Sequence, residues 1–458
     1  MERRTFIRGT FLGAAAFLAG CKDRQRLAQA RPNVLVIFTD DQGMNDVSAY
    51  NGDIPTPHMD SIGERGIRFT QHYAAAPACT PSRFSLLTGC YPQRSLHSLD
   101  EVIMPGDTFH LDPRETTLAT RLKSVGYRTA LIGKWHLGSA RPEDLPMHHG
   151  FDRFTGISGG CIDYWNHSYG PDPDWYIDNK EAVEEGYATD LLTDHALTFF
   201  DEQRESTQPF FLYLSYNAPH YAKSTRDSLP ENTLRVSEFK HNSLVAYNTL
   251  QAPKAYLEKF SHIKDEARRY YAATVANLDD NIGRVLDRLK RNMQLDNTLV
   301  WLISDNGADP QYGGSNLPFR GNKQDLFEGG IRIPAMLMWK SRVKPLQIIN
   351  QPLHNVDILP TLATICGFTT TGRPVDGIDA GEIIFSNRRF SRKMFWQWGN
   401  KGAFREGDWK YITEPKRHML YNIKEDSLEN RDLADLYPDK VSILQKLYAD
   451  KYSECKIR

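Results

Sequence analysis

The apolar positions of the chain fall into two alternating kinds of run. Asn33–Phe38, Arg128–Ile132, Phe210–Tyr216, Thr298–Ile303 and Pro334–Trp339 are short, nearly continuous apolar stretches rich in β-branched and aromatic residues. That is the pattern of strands covered on both faces. Between them lie segments with helical spacing: Pro57–Gly66, Thr116–Gly126 with Leu118, Leu122 and Val125, Tyr187–Glu202, Glu266–Met293 and Asp357–Cys366. Several of these end at glycine, as helices often do. Strands alternating with helices predict an α/β fold: a large, mostly parallel central sheet sandwiched by helices.

The pattern changes beyond about Gly372. Lys393–Trp398, Ala403–Ile412 and Met419–Ile423 are short alternating segments around turns, followed by a helical stretch over Lys440–Tyr452. They predict a smaller C-terminal antiparallel sheet plus helix. The expected division is a main α/β domain over 31–371 and an α+β subdomain over 372–458. Two stretches resist a periodic reading. Residues Pro146–Ile177, rich in Gly, His, Asp and aromatics, are expected to be a long loop, and the polar Tyr221–Lys264 a surface excursion.

Residues 1–30 read as a targeting segment outside the fold. Arg3-Arg4-Thr5-Phe6-Ile7 looks like a twin-arginine export signal, and the apolar stretch Thr10–Ala19 is too short to span a bilayer. Leu18-Ala19-Gly20-Cys21 resembles a bacterial lipobox, with Cys21 as the lipidated residue and Lys22–Ala30 as a polar tether. The alternative is a plain cleaved signal. The expected location is exported, periplasmic or at the cell surface, with membrane contact only through a lipid anchor at Cys21.

Composition narrows the ligand. The 458 residues carry a net charge of −1, so no overall field favours nucleic acid, and an anionic ligand must be met by local cations. Of six cysteines, Cys90, Cys161, Cys366 and Cys455 show no Cys-x-x-Cys spacing. The sequence fixes no disulfide and implies no zinc site.

The chemistry gathers where apolar runs end. Asp40 and Asp41 follow the first strand, Lys134 and His136 the Arg128 strand, His220 the Phe210 strand, and Asp305 and Asn306 the Thr298 strand. Each has an ordinary reading: a solvated turn, a surface lysine, a packed histidine. Their common placement at carboxyl strand ends, where open α/β sheets bind ligands, points to one site. Cys79-Thr80-Pro81-Ser82-Arg83 adds a proline-stiffened turn that hands a thiol to a helix start, whose amides and Arg83 favour negative charge.

Cys79-x-Pro-x-Arg83 followed by Leu-Leu-Thr-Gly resembles the signature of type I, formylglycine-dependent sulfatases of the alkaline phosphatase superfamily. Thr39-Asp40-Asp41-Gln42, Gly133-Lys134-Trp135-His136-Leu137-Gly138, Ala218-Pro219-His220, Ser304-Asp305-Asn306-Gly307 and Lys323-x-x-x-x-Glu328-Gly329-Gly330 match it in order over about Pro32 to Leu436. Cys90, just after Leu-Leu-Thr-Gly, is a minor departure. The resemblance implies that Asp40, Asp41, Asp305 and Asn306 bind one divalent ion, usually Ca2+ with Mg2+ also possible. It implies that a formylglycine-generating enzyme converts Cys79 to formylglycine (3-oxoalanine), whose hydrate attacks sulfur. Arg83 would anchor that hydrate, and Lys134 and Lys323 would bind sulfate oxygens. His220 would protonate the leaving alcohol, and His136 would take the remaining hydroxyl proton.

The resemblance leaves the substrate open. The aromatic and His-rich loop, with Asp163, Tyr164 and His167 as candidate contacts, and the export signal favour a sulfated poly- or oligosaccharide. Alternatives are aryl or other small sulfate esters, a phosphonate or phosphodiester hydrolase of the same superfamily, and a non-catalytic protein that binds sulfated glycans.

Overall fold

The computed structural model describes residues 31–226, 229–241 and 244–456. Arg3, Arg4 and Cys21, and with them the expected export signal and lipid anchor, lie outside the described residues.

The core is one large sheet with the order Gln347–Ile349, Ile67–Tyr73, Arg332–Met338, Thr298–Ser304, Asn33–Thr39, Phe210–Ser215, Arg128–Lys134, Arg153–Ile157, Tyr176–Ile177 and Lys180–Glu181. Asn33–Thr39 pairs in parallel with both of its neighbours. Its residues alternate between two apolar cores, as a pleated strand requires. Val34, Val36 and Phe38 join a core with Phe84, Leu118 and Leu359, while Leu35 and Ile37 join another with Met59, Phe199 and Leu278. Helices therefore cover both faces, and the expected α/β sandwich is observed. Arg332–Met338 is antiparallel to its neighbours, and Pro334 sits at a register shift between Ile333 and Ala335. There its missing N–H removes no ladder bond.

The C-terminal part is a four-stranded antiparallel meander, Lys393–Trp398, Lys401–Glu406, Trp409–Glu414 and Arg417–Asn422, followed by the helix Pro438–Lys456. Met394, Trp396 and Ile412 pack with Tyr73, Leu326 and Ile331 of the main sheet region. Lys410 makes a buried tie between the two parts, with Nζ 2.9 Å from Glu328 Oε1 and 2.8 Å from Glu429 Oε1.

Two expectations need correction. The Pro146–Ile177 stretch is not all loop, because Arg153–Ile157 is a sheet strand paired in parallel with Arg128–Lys134. Tyr221–Lys264 is not irregular. Ala222–Thr225, Thr233–His241 and Leu244–Gln251 form a three-stranded antiparallel sheet, followed by the helix Lys254–Lys259. Thr233–His241 is nowhere fully buried, so its mixed polar sequence gives little hydrophobic alternation from which to infer a strand.

Candidate active site

Strand register assembles the acidic half of the site. Thr39 pairs with Ser304, so Asp40 and Asp305 leave adjacent parallel strands side by side. Asp305 accepts from the Asp41 amide at 3.0 Å, and Asn306 Nδ2 donates to Asp41 Oδ1 at 2.7 Å. Burial, with Asp40 beside it, pushes Asp305 up to about 7 against the pull of Arg83 and Lys134. Burial also acts to raise Asp41, but Lys323 and His220 outweigh it and hold Asp41 down at about 2.

The cations close over these acids. Arg83 is fully buried; its Nη2 donates to Asp305 Oδ2 at 3.0 Å and lies 3.5 Å from Asp40 Oδ1. Its Nη1 donates to Ser215 Oγ at 2.5 Å and to the Lys134 carbonyl at 3.3 Å. Lys134 Nζ lies 2.6 Å from Asp40 Oδ2, and Lys323 Nζ lies 2.6 Å from Asp41 Oδ2. Close packing of the strands under Lys134 needs glycine: Gly133 has φ +118, and a Cβ there would lie 1.8 Å from the Ser215 carbonyl oxygen.

The residues fit a divalent cation. Asp40 Oδ1 and Asn306 Oδ1 are buried with no hydrogen-bond partner among the described residues. An all-oxygen set of three carboxylates and an amide suits a hard ion. Asp40, Asp41 and His220 can also bring one donor atom each within 4.8 Å. We favour the oxygen set, because His220 Nε2 is engaged by Lys323 Nζ at 3.1 Å.

Cys79 opens the helix Cys79–Thr88, all ten residues of which are buried, and Ala78 before it is extended. Both Arg83 and Lys323 interact electrostatically with the thiol. The loop residue Ile103 links this helix to His136. Its N–H donates to Thr80 Oγ1 at 3.2 Å, and its carbonyl lies 2.8 Å from His136 Nε2. A carbonyl only accepts, so Nε2 carries the hydrogen and leaves Nδ1 as a lone pair, buried and without a partner among the described residues. Burial, then Lys134, holds His136 down at about 3, which keeps the ring neutral. The chain turns at His136, with φ +56. Gly160 makes room for the ring, because a Cβ there would lie 2.7 Å from His136 Cε1.

His220 is held from the other side. A ring hydrogen on Nδ1 reaches the Tyr221 carbonyl at 2.8 Å, which turns Nε2 toward Lys323 and toward Asp41 Oδ2 at 3.4 Å. Burial and the Lys323 charge hold His220 well below the usual imidazole range. The Lys323–His220 pair thus keeps a proton at Nε2 on the ammonium side.

The structure brings together all ten expected catalytic and metal residues: Cys79, Arg83, Lys134, His136, His220, Lys323, Asp40, Asp41, Asp305 and Asn306. The three expected substrate contacts are corrected. Asp163 is buried and accepts from Ser224 Oγ and from Gln251 Nε2 at 2.8 Å. The Tyr164 hydroxyl donates to the His220 carbonyl at 2.8 Å, and His167 is buried against Trp175 with its Nε2 3.1 Å from the Gly186 carbonyl. They brace the loop instead of facing a ligand, because their polar atoms are already used inside it. Sequence reading missed Ser215 and Ile103, which hold Arg83 and His136. No residue-type signal marks a backbone peptide or a lone serine.

A cleft of about 420 Å³ opens beside His136, lined by Met104, Asp107, Ser139, Gly159, Tyr169 and Tyr176. A larger hollow of about 610 Å³, between the sheet edge and the C-terminal meander, is lined by Gln71, Arg389 and Lys424 and by none of the ten residues above. Cys79, Cys90, Cys161, Cys366 and Cys455 are all free thiols.

The family model described as Sulfatase matches residues 32–368. Arylsulfatase J of Mus musculus is 32% identical over 374 residues, an alignment covering 79% of this chain and 57% of that protein. The chain therefore spans less than two thirds of that relative. N-acetylgalactosamine-6-sulfatase of Homo sapiens is 30% identical over 393 residues, covering 81% of this chain and 69% of that one. The crystal structure of Ps i-CgsB in complex with k-i-k-neocarrahexaose superposes with a TM-score of 0.82 at 27% identity, covering 92% of this chain and 93% of that chain.

Proposed function

This chain belongs to the sulfatase family, and we propose that it is a sulfuric ester hydrolase that removes sulfate from a sulfated poly- or oligosaccharide. One observation carries the chemistry. Four oxygen-donor side chains, two lysines, two differently held histidines and a cysteine at a helix start converge at the carboxyl ends of four neighbouring strands. The carbohydrate reading draws on the open cleft beside His136, of ordinary size for a ligand site. It also draws on the neocarrahexaose held by Ps i-CgsB and the aminosugar sulfate named in the human relative.

In this reading Asp40, Asp41, Asp305 and Asn306 hold a Ca2+ ion, which supplies positive charge against the sulfate group. Cys79, converted to formylglycine by a generating enzyme, supplies the nucleophile. Lys134 and Lys323 turn from the carboxylates toward sulfate oxygens, where they oppose charge that develops in the transition state. Arg83 fixes the acids from behind, and its buried Nε has no partner among the described residues. The Lys323–His220 pair delivers a proton to the leaving alcohol, and His136 Nδ1 accepts one on the opposite side.

The test is sulfate release from a panel of sulfated sugars, aryl sulfates and matched phosphate esters at equal concentration, with matured protein and Ca2+. Turnover of the sugars supports the reading. Turnover of aryl sulfates alone removes the carbohydrate, and faster phosphate release removes the sulfatase activity. We further propose export as a lipoprotein anchored at Cys21. Normal export after Arg3→Lys with Arg4→Lys would refute the twin-arginine part.

A further inference from the structure

Three residues beyond His220, the chain carries a cation that the chemistry above does not use. Lys223 is 7% exposed, and among the described residues its ammonium makes no ion pair and no hydrogen bond, although the Cys161 thiol is near enough to interact with it electrostatically. It sits instead in a box of rings, with Nζ 3.9 Å from the centroid of Phe239, 5.2 Å from Tyr221 and 5.5 Å from Tyr169. Cation–π contact offsets part of the cost of burying the charge. It leaves the N–H donors without a protein oxygen among the described residues.

The position is as informative as the missing partner. Tyr221 is shared, because Lys323 Nζ lies 5.9 Å from the same ring that Lys223 approaches. That ring stacks on His220 on one side and on Tyr312 on the other, with centroids 4.2 and 3.9 Å apart. Tyr169, another wall of the box, also lines the cleft beside His136. The nearby acids are otherwise committed. Asp172 pairs with His241 at 2.6 Å, Asp174 accepts from Ser158 and Gly159, and Asp163 is bound to Ser224 and Gln251.

We propose that Lys223 receives a second anionic group, a sulfate or a carboxylate, on the sugar whose sulfate ester sits at Lys323, so that the substrate is a polyanionic saccharide. This rests on the sulfatase reading for the position of the first sulfate. Tyr221 borders both lysines and ties the second anion site to the first.

The experiment measures binding by calorimetry to full-length Cys79→Ser protein in Ca2+, which keeps the probes intact. The probes are three matched disaccharides: one with a single sulfate, one with two, and one with a sulfate and a uronic carboxylate. The proposal expects one or both doubly charged probes to bind about 10- to 100-fold tighter than the monosulfated one, as a charged hydrogen bond supplies. Which of the two does so identifies the second group. Lys223→Met should erase that preference and leave monosulfated binding within about twofold, with Lys223→Gln as a second variant if the first melts early. A preference that survives both variants, an equal loss for every probe, or no preference in the parent overturns the proposal. Sulfate release by the matured enzyme is scored separately. Charge-selective binding without turnover sinks the hydrolase and spares Lys223, and turnover without charge selectivity does the reverse.

Discussion

His136 Nε2 and the Ile103 carbonyl oxygen lie 2.8 Å apart, and that contact decides which ring nitrogen is free. His220 is set the opposite way, with Nδ1 tied to the Tyr221 carbonyl and Nε2 facing Lys323. The two imidazoles therefore present different nitrogens to one centre, one as a bare acceptor and one beside an ammonium proton.

This asymmetry predicts different kinetic signatures. His220→Ala should slow release of a sugar alcohol by about 10²–10⁴-fold, because a poor leaving group needs the proton. It should slow an aryl sulfate with an acidic phenol far less. His136→Ala should slow both substrates by similar factors. Equal sensitivity of the two variants to leaving-group acidity would contradict the assignment.

Asp40, Asp41 and Asp305 crowd together, with Lys134, Lys323 and Arg83 beside them. Ca2+ at about 100-fold its dissociation constant should stabilise the fold by about 2.7 kcal/mol, read as a rise in Tm. Asp305→Ala should abolish that rise. A calcium-dependent rise of the same size in the variant would place the ion elsewhere.

His72 is buried, neither ring nitrogen has a partner among the described residues, and the ring meets Trp301 edge-on. Burial, with Arg392 adding to it, lowers its pKa to about 3. Below about pH 6.5 the unfolded chain takes up a proton that the folded chain refuses. The stability is thus complete above pH 6.5 and is lost as pH falls toward 3, amounting to about 2 kcal/mol at pH 5. His72→Phe should flatten the fall in stability between pH 7 and 5 by about that amount. Denaturant melts with the same pH slope in both proteins would refute this.

Lys410 bridges Glu328 and Glu429 in a dry setting, Arg332 also faces Glu328, and Glu328 begins the short helix that follows Lys323. Removing the lysine leaves Glu429 without its buried cation while Arg332 still faces Glu328, so Lys410→Met should cost about 3–5 kcal/mol. It should also lower kcat by loosening the Lys323 loop. A variant with unchanged melting would show that the tie between the two parts does not contribute to stability.

The sequence displays the sheet and the reactive residues for one physical reason. Strands such as Asn33–Thr39, buried on both faces, must be continuously apolar, and the polar residues that follow them stand out as Asp40 and Asp305 do. Where burial is one-sided or partial, as in Thr233–His241, the pattern dissolves and the strand goes unseen. Asp163, Tyr164 and His167 mislead for a related reason. Composition cannot tell a polar group that meets a ligand from one satisfied by Gln251, Ser224 or the His220 carbonyl. Lys223 was readable in part, since Tyr221 and Lys223 alternate onto one face of an extended segment. Its lack of an acidic partner needed the fold.

The most direct measurement is a mass spectrum of the tryptic peptide Phe69–Arg83 from protein made in its own host. The account predicts that the Cys79 thiol is replaced by an aldehyde or its hydrate, with sulfate release rising in proportion to the converted fraction. An intact thiol in protein that still hydrolyses sulfate esters would contradict it.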